Sequence, residues 1–182
     1  TKGIPERLRA VDYLLEHHPE YRGKLVFVQI AVPSRSHIPH YKQLDDEVDR
    51  LVERINWRWS NNDWAPIVLI KEHHDSPAMI ALHRLSQFAI VSSLHDGMNL
   101  VAKEYVASRF DEEGMLILSQ FTGAAREFGD ALLVNPYDIQ EIAQAITQSL
   151  QMSSADRQRR MQRMREQVAR NNVYRWAGKI MS

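Results

Sequence analysis

The 182-residue sequence contains no cysteine, which excludes disulfide bonds, thiolate metal sites and cysteine nucleophiles from its chemistry. This absence is compatible with a reducing compartment, and we expect a cytoplasmic protein. No apolar run approaches the roughly 18 residues that a transmembrane helix needs, and no signal peptide is visible. We therefore expect no membrane contact.

An excess of charge of one sign is also lacking, because 23 Lys and Arg residues balance 23 Asp and Glu residues. A neutral chain has no general attraction to nucleic acid or anionic membranes. Basic residues concentrate only near the C-terminus, at Arg157, Arg159, Arg160, Arg163, Arg165 and Arg170. This run is compatible with a nucleic-acid-binding helix or with a solvated helix whose other face is packed. Met161, Met164 and Val168 at helical spacing favour the packed helix, so no nucleic-acid partner is expected.

Glycine and proline are few and scattered, at seven residues each, so low-complexity linkers are absent. Short apolar runs that are typical of buried strands alternate with apolar residues at helical spacing. The predicted strands are 24–32, 66–70, 88–91, 115–118 and 131–134, and the predicted helices are 4–15, 44–55, 76–85, 99–108, 138–150 and a last segment after Ser153. Strands separated by helices imply right-handed crossovers. The sequence therefore predicts an α/β fold with a single doubly wound, mostly parallel sheet and helices on both faces.

The loop between the third predicted strand and the helix that follows carries the richest set of polar residues. Ligands of doubly wound folds bind beyond the carboxyl ends of the strands, where this loop lies. Gly97 permits a tight turn and a close approach of the backbone to a ligand, and the helix N-terminus near Asn99 suits a phosphate. Glu104 lies one turn past Leu100 and could face the same way, where a carboxylate can accept hydrogen bonds from a ribose diol. A plain capped turn, with Asp96 and Asn99 as caps, explains the same residues, and the spacing alone favours that simpler interpretation.

Three other loops offer weaker candidates. Arg35 follows the first predicted strand and could clamp a phosphate, although a solvated surface arginine is the more ordinary interpretation. His73, His74 and Asp75 follow the second strand, but adjacent residues of an extended segment point in opposite directions, so we expect no metal site. The segment 119–125 combines one glycine with small residues and is a second, weaker phosphate candidate.

Several segments together resemble the C-terminal domain of the trehalose-6-phosphate synthase family. The matching segments, in the order of the family, are 1–8, 28–35, 54–56, 63–66, 96–104 (DGMNLVAKE), 118–125 and 133–138. DGMNLVAKE is a highly specific signal, whereas alternation of strands and helices is not. The resemblance implies two Rossmann-like domains around a cleft. Residues 1–182 would form the nucleotide-sugar-binding domain of that pair, with 153–182 as a C-terminal helical segment.

The resemblance also implies an activity and a set of site residues. The family is one of metal-independent, retaining glucosyltransferases that transfer glucose from UDP-glucose to glucose 6-phosphate and form trehalose 6-phosphate. Asp96 and Lys2 would be the catalytic residues. The donor-binding residues would be Lys2, His74, Asp96, Gly97, Met98, Asn99, Leu100, Val101, Ala102, Lys103 and Glu104.

Individual roles follow from the same resemblance. Lys2 would contact the donor diphosphate, to which Leu100 and Val101 would offer backbone N–H groups. Asp96 would hold the hydroxyls of the donor glucose. Gly97, Met98 and Asn99 would line the sugar and the phosphate. Glu104 would bind the ribose, and Arg35 would bind the phosphate of the acceptor. His74 falls near the uracil, where the family more often has an aromatic residue.

We expect the chain to be part of a longer protein, because it begins at Thr1 without an initiator methionine and matches only the donor half of the family. The missing N-terminal domain would supply most acceptor contacts. Alone, the chain is expected to bind UDP weakly and to catalyse no transfer. No cofactor is expected beside the UDP-glucose substrate, and the full-length form could be a homo-oligomer. Two alternatives stay open: another phosphorylated acceptor, such as glycerol 3-phosphate, or a non-catalytic nucleotide-binding or assembly module.

Overall fold

The computed structural model describes residues 1–32 and 39–171, without the side chains of residues 39 and 40. Its helices are α1 (Ile4–His17), α2 (Pro39–Trp59), α3 (Ser76–Leu85), α4 (Leu100–Ser108), α5 (Ile139–Gln151) and α6 (Ser154–Arg170). Its strands are β1 (Phe27–Ile30), β2 (Ile67–Ile70), β3 (Phe88–Val91), β4 (Met115–Ser119) and β5 (Leu132–Val134). Two short 3-10 helices lie at Pro19–Tyr21 and Gly123–Arg126. The predicted alternation of strands and helices is confirmed.

All strand pairs are parallel, which confirms the predicted α/β class. The strands form two hydrogen-bonded groups, β1–β2 and β3–β4–β5, where the sequence suggested one continuous sheet. Both groups contribute to the same apolar core, in which Phe27 and Ile67 share a cluster with Ile90 and Ile117. The carboxyl ends of β3, β4 and β5 therefore form one edge, and the loops that leave this edge build the candidate site.

Helix α1 forms because its apolar residues recur at helical spacing and Pro5 occupies its first turn. Leu8, Val11, Leu14 and Leu15 are completely buried in the shared core. This packing fixes the start of α1, at Ile4, next to the end of β3. The three residues before it are thereby held at the edge where the candidate site lies.

Helix α6 covers a second apolar cluster, in which Met161 and Met164 are completely buried against residues of α4 and β4. The predicted packed face of this helix is confirmed. Its remaining predicted extension, residues 172–182, lies outside the described residues. No helix within the described ranges is both long and apolar enough to span a bilayer.

Candidate functional site

The first three residues of the chain lie against the end of β3. The backbone N–H of Leu94 donates to the Thr1 carbonyl at 2.9 Å, and the Ser92 hydroxyl donates to the Gly3 carbonyl at 2.9 Å. Gly3 has a φ of 63°, in the left-handed region, and a Cβ at this position would overlap the Ser92 carbonyl oxygen. The sequence folds this way because only glycine allows the segment to pass so close to β3, and Lys2 is thereby brought to the edge.

Lys2 and Asp96, which are 94 positions apart in the sequence, form a salt bridge at the centre of the candidate site. The Lys2 Nζ lies 2.8 Å from Asp96 Oδ2. The Lys2 side chain is 65% exposed, whereas that of Asp96 is only 16% exposed. The carboxylate is therefore a fixed point of the loop, and the ammonium group is accessible to a ligand from solvent.

Asp96 is held in its charged form by several donors. Burial acts to raise the pKa of Asp96, but this is outweighed by the hydrogen bond from Lys2, the Met98 backbone N–H, the Lys2 charge and the Asn99 amide, so the net pKa is lowered. The Met98 N–H donates to Oδ1 at 3.3 Å, and the Asn99 amide donates to Oδ2 at 3.1 Å. The site therefore presents a carboxylate, an acceptor-only group, near neutral pH.

Asn99 connects this carboxylate to the N-terminus of α4. Its Oδ1 accepts from the Ala102 N–H at 3.0 Å, while its Nδ2 donates to Asp96 and to the buried Ser93 hydroxyl. The backbone of Asn99 has a φ of 68°, which asparagine tolerates better than most residues. The capped turn suggested by the sequence is thus present. Its side-chain cap binds the Ala102 N–H and not the N–H groups of Leu100 and Val101.

The first turn of α4 exposes backbone donors and apolar side chains. A helix N-terminus leaves its first N–H groups without intrahelical acceptors. Among the described residues, no hydrogen-bond acceptor lies on the N–H groups of Leu100 and Val101. Leu100 and Val101, and Met98 just before the helix, are about half exposed, at 59%, 51% and 46%. This terminus has the donors and the positive dipole end that an anion requires.

Gly97 and Gly123 have different structural roles. Gly97 is exposed, its φ lies outside the left-handed region, and a Cβ there would meet no atom within 4 Å. A Cβ on Gly123, by contrast, would overlap the carbonyl oxygen of Gly97. Close packing within the chain therefore requires glycine at position 123, and the space in front of position 97 is open to a ligand.

The segment after β4 holds the Asp96 loop in place. The Gly123 N–H donates to the Asp96 carbonyl at 3.0 Å, and the Ala124 N–H donates to the Met98 carbonyl at 3.0 Å. The sequence suggested a second phosphate site in segment 119–125, but two of its N–H groups are occupied by the first loop. The sequence singles out Gly123 only as part of a phosphate candidate; its packing role was missed, because that role depends on a contact between two loops.

The other predicted site residues differ in their burial and in their contacts within the chain. Glu104 is exposed on α4, one turn after Leu100. Lys103 forms a salt bridge with Glu127, with its Nζ 2.8 Å from Oε1, so its ammonium group already has a partner. His74 is half-buried directly before Asp75, the N-cap of α3, at the end of the β1–β2 group. Arg35 lies outside the described residues.

Arg7 is a residue of the site that the sequence did not single out. Its guanidinium donates to the Gly3 carbonyl through Nε at 3.3 Å, to the Ile90 carbonyl through Nη1 at 3.1 Å, and to the Lys2 carbonyl through Nη2. Burial lowers the pKa of Arg7 to about 10, an effect partly opposed by the charge of Glu6. The sequence of α1 does not indicate this role, because the contact with Ile90, 83 positions away, is made only in the folded chain.

The arginines of α6 all have partners within the chain. Salt bridges join Arg157 to Glu113, Arg159 to Asp156, Arg163 to Asp130 and Arg170 to Glu166, and carbonyl oxygens accept from Arg160 and Arg165. These contacts account for the basic run by packing and surface pairing. No group of three or more His, Asp or Glu side chains that could hold a metal ion is present in residues 1–32 and 39–171.

The model of glycosyltransferase family 20 matches residues 1–182, the whole of the sequence. The chain belongs to this family. Among similar proteins, the bifunctional trehalose-6-phosphate synthase/phosphatase of Thermoproteus tenax is 43% identical over 176 residues, which are 97% of this chain and 24% of that protein. The trehalose-6-phosphate synthase of Klebsiella pneumoniae is 38% identical over 182 residues, which are 100% of this chain and 38% of that protein.

Solved structures of family 20 proteins also superpose on the chain. An α,α-trehalose-phosphate synthase (UDP-forming) from Burkholderia xenovorans, in complex with glucose-6-phosphate, gives a TM-score of 0.97 at 42% identity. A structure from E. coli bound with UDP-2-fluoro glucose gives a TM-score of 0.97 at 38% identity. Each alignment covers 100% of this chain and 40% of the other. This family 20 chain therefore spans about two fifths of the length of these relatives.

Proposed function

We propose that the chain is the donor-binding domain of an enzyme that transfers glucose from UDP-glucose to glucose 6-phosphate and so forms trehalose 6-phosphate. The observation that carries this proposal is the Lys2–Asp96 pair at the N-terminus of α4, where a cation, a carboxylate and a helix terminus converge. The relatives bound with UDP-2-fluoro glucose and with glucose-6-phosphate support the choice of donor and acceptor.

The positive groups of the site suit the departing diphosphate. When the bond between the glucose anomeric carbon and the phosphate oxygen breaks, negative charge grows on the UDP diphosphate. The Lys2 ammonium, the N–H groups of Leu100 and Val101, and the dipole of α4 would stabilise this charge. Because the Lys2 side chain is exposed and, among the described residues, its ammonium group contacts only Asp96, this group can turn to the diphosphate without loss of buried contacts.

The acidic groups suit the hydroxyls of the donor. Asp96, charged and anchored, would accept hydrogen bonds from the glucose hydroxyls, and Glu104 would accept from the ribose diol. Gly97 and Met98 would line the sugar, because the space before Gly97 is open. His74 would lie near the uracil, and Arg35 would bind the acceptor phosphate.

We further propose that the transfer retains the anomeric configuration, needs no divalent metal or other cofactor, and takes place in the cytoplasm. Lys2 and the helix terminus provide the electrostatic stabilisation that a metal ion gives in other transferases. The rest of a longer polypeptide would supply most acceptor contacts. Activity that disappears with EDTA and returns with a divalent ion would contradict the metal-independent mechanism.

The proposal is tested by steady-state assays on the longer polypeptide that contains these residues. UDP release from UDP-glucose is expected to depend on glucose 6-phosphate and to be far slower with glycerol 3-phosphate. Lys2→Met and Asp96→Asn should each lower kcat/KM for UDP-glucose by about a hundredfold, as expected for lost transition-state contacts. Lys24→Met, at an exposed lysine before β1, is the matched control and should leave kcat/KM unchanged. Unchanged rates in both site variants, or no transfer by the unmodified protein, would refute the proposal.

A further inference from the structure

We infer that Arg7 is a positioning residue for Lys2: its guanidinium fixes the backbone of Lys2 and Gly3 to the end of β3 and so sets where the Lys2 ammonium meets the donor. The inference rests on the proposed function of Lys2. It concerns a residue of α1 that touches neither the open side of the site nor the Asp96 loop in the hydrogen bonds of the described residues.

The guanidinium joins two elements through main-chain atoms. Two of its bonds go to carbonyl oxygens of the N-terminal segment, at Lys2 and Gly3, and the third goes to the carbonyl of Ile90 inside β3. Ile90 is two residues before Ser92, whose hydroxyl binds the same Gly3 carbonyl at 2.9 Å. The Arg7 side chain thus connects the strand, the N-terminal segment and the helix at one point.

Lys2 needs this connection because its own side chain is weakly held. The side chain is 65% exposed, and within the described residues its ammonium group has one hydrogen bond, to Asp96, for which a donor sugar would compete. The carbonyls of Thr1, Lys2 and Gly3 are all bound, by Leu94, Arg7, and by Ser92 together with Arg7. With the backbone fixed, the ammonium group of Lys2 stays within reach of the donor when the sugar hydroxyls compete for Asp96, and small displacements of such groups are costly for catalysis.

The fork of the guanidinium is needed for three acceptors in different directions. A lysine at position 7 has a single charged nitrogen at the end of a flexible stem, so it can bind one or two of these carbonyls but cannot span all three. A methionine has similar length and no donor. Arginine, lysine and methionine at position 7 therefore offer a decreasing number of hydrogen-bond donors, while a side chain of similar length stays next to Ile90.

A double-mutant cycle on the longer polypeptide tests the inference. Arg7→Met should lower kcat/KM for UDP-glucose about tenfold when Lys2 is present, and by less than about twofold in the Lys2→Met background, because residues that act through one another are not additive. Arg7→Lys should be intermediate, and it also covers the case in which Arg7→Met does not fold. KM for glucose 6-phosphate should change little in either variant.

Arg9→Met is the matched control, because Arg9 lies on the same helix but pairs with Glu47 of α2 at 2.6 Å. It should leave kcat/KM unchanged in both backgrounds. Equal losses from the Arg7 variants with and without Lys2 would overturn the positioning role, since a general loss of folding acts in both backgrounds. If Lys2→Met alone had no effect on an active enzyme, the proposed role of Lys2 would fail instead, which separates the two conclusions.

Discussion

At the scale of single residues, Asp96 is the most constrained group of the site. Its carboxylate accepts from Lys2, Met98 and Asn99, and its carbonyl accepts from Gly123. Burial alone would favour the neutral acid, so these donors decide its charge. The charge of this residue therefore contributes to the stability of the loop, beside the role in donor binding that we propose for it.

This contribution should depend on pH in a defined direction. Because the pKa of Asp96 in the folded chain lies below its ordinary value of 3.8, its stabilising effect is complete above that value and is lost as the pH falls through the folded pKa. Urea denaturation between about pH 3 and pH 7 should show a difference in unfolding free energy between the unmodified chain and Asp96→Asn that is constant near neutrality and shrinks at acidic pH. A difference that grew on acidification would contradict the assigned charge state.

A substitution at Gly97 should affect the binding of a ligand without reducing the stability of the fold. Since a Cβ there meets no atom of the chain, Gly97→Ala should leave the free energy of unfolding unchanged or raise it by up to about 1 kcal/mol. The same methyl group would occupy space that we assign to the donor sugar. Calorimetry on the longer polypeptide should therefore show weaker UDP-glucose binding, by about tenfold. Unchanged affinity together with unchanged stability would mean that the ligand does not approach Gly97.

At the scale of elements, the sequence predicts the helices and strands well and their contacts poorly. Apolar periodicity identified α1 and α5, and the β-branched runs identified β1 and β2, because these signals are local. The loop between β3 and α4 was found by the rule for parallel sheets and by the family motif. The contact of that loop with Gly123 and the contact of Arg7 with Ile90 were not predicted, because each joins residues that are distant in sequence and meet only in the folded chain.

The contact between the two loops gives a prediction for Gly123. In Gly123→Ala, the Cβ would overlap the Gly97 carbonyl oxygen, which is a backbone atom and must shift. We expect a loss of about 1–3 kcal/mol in unfolding free energy, as for overpacked sites, together with weaker UDP binding. Thermal and urea denaturation, followed by UDP calorimetry, would measure both effects.

Gly129→Ala is the control for this variant. A Cβ added at position 129 would meet no atom within 4 Å, and the φ of Gly129 lies outside the left-handed region. The stability of Gly129→Ala should therefore equal that of the unmodified chain or be slightly higher. Equal behaviour of the two alanine variants would show that the Gly123 contact does not hold the Asp96 loop.

At the scale of the whole molecule, the carboxyl ends of the parallel strands β3, β4 and β5 lie at one edge. Lys2, just before α1, lies at the same edge and contacts Asp96 there. The class of fold was predictable from the order of strands and helices. The division of the strands into two hydrogen-bonded groups was not, because apolar patterns do not specify which strands are neighbours. Under the proposed function the chain carries the donor half of a larger site; it spans about two fifths of the length of the solved relatives.

The central claim, that this chain carries the UDP-binding half of the site, is tested most directly by titration calorimetry of the 182-residue chain with UDP. Circular dichroism of the same sample would first establish that the chain is folded. We predict saturable binding with a Kd between about 1 mM and about 1 µM, as expected for half a site, and weaker binding by Lys2→Met and Glu104→Ala. A folded sample that releases or takes up no heat with millimolar UDP would contradict the account.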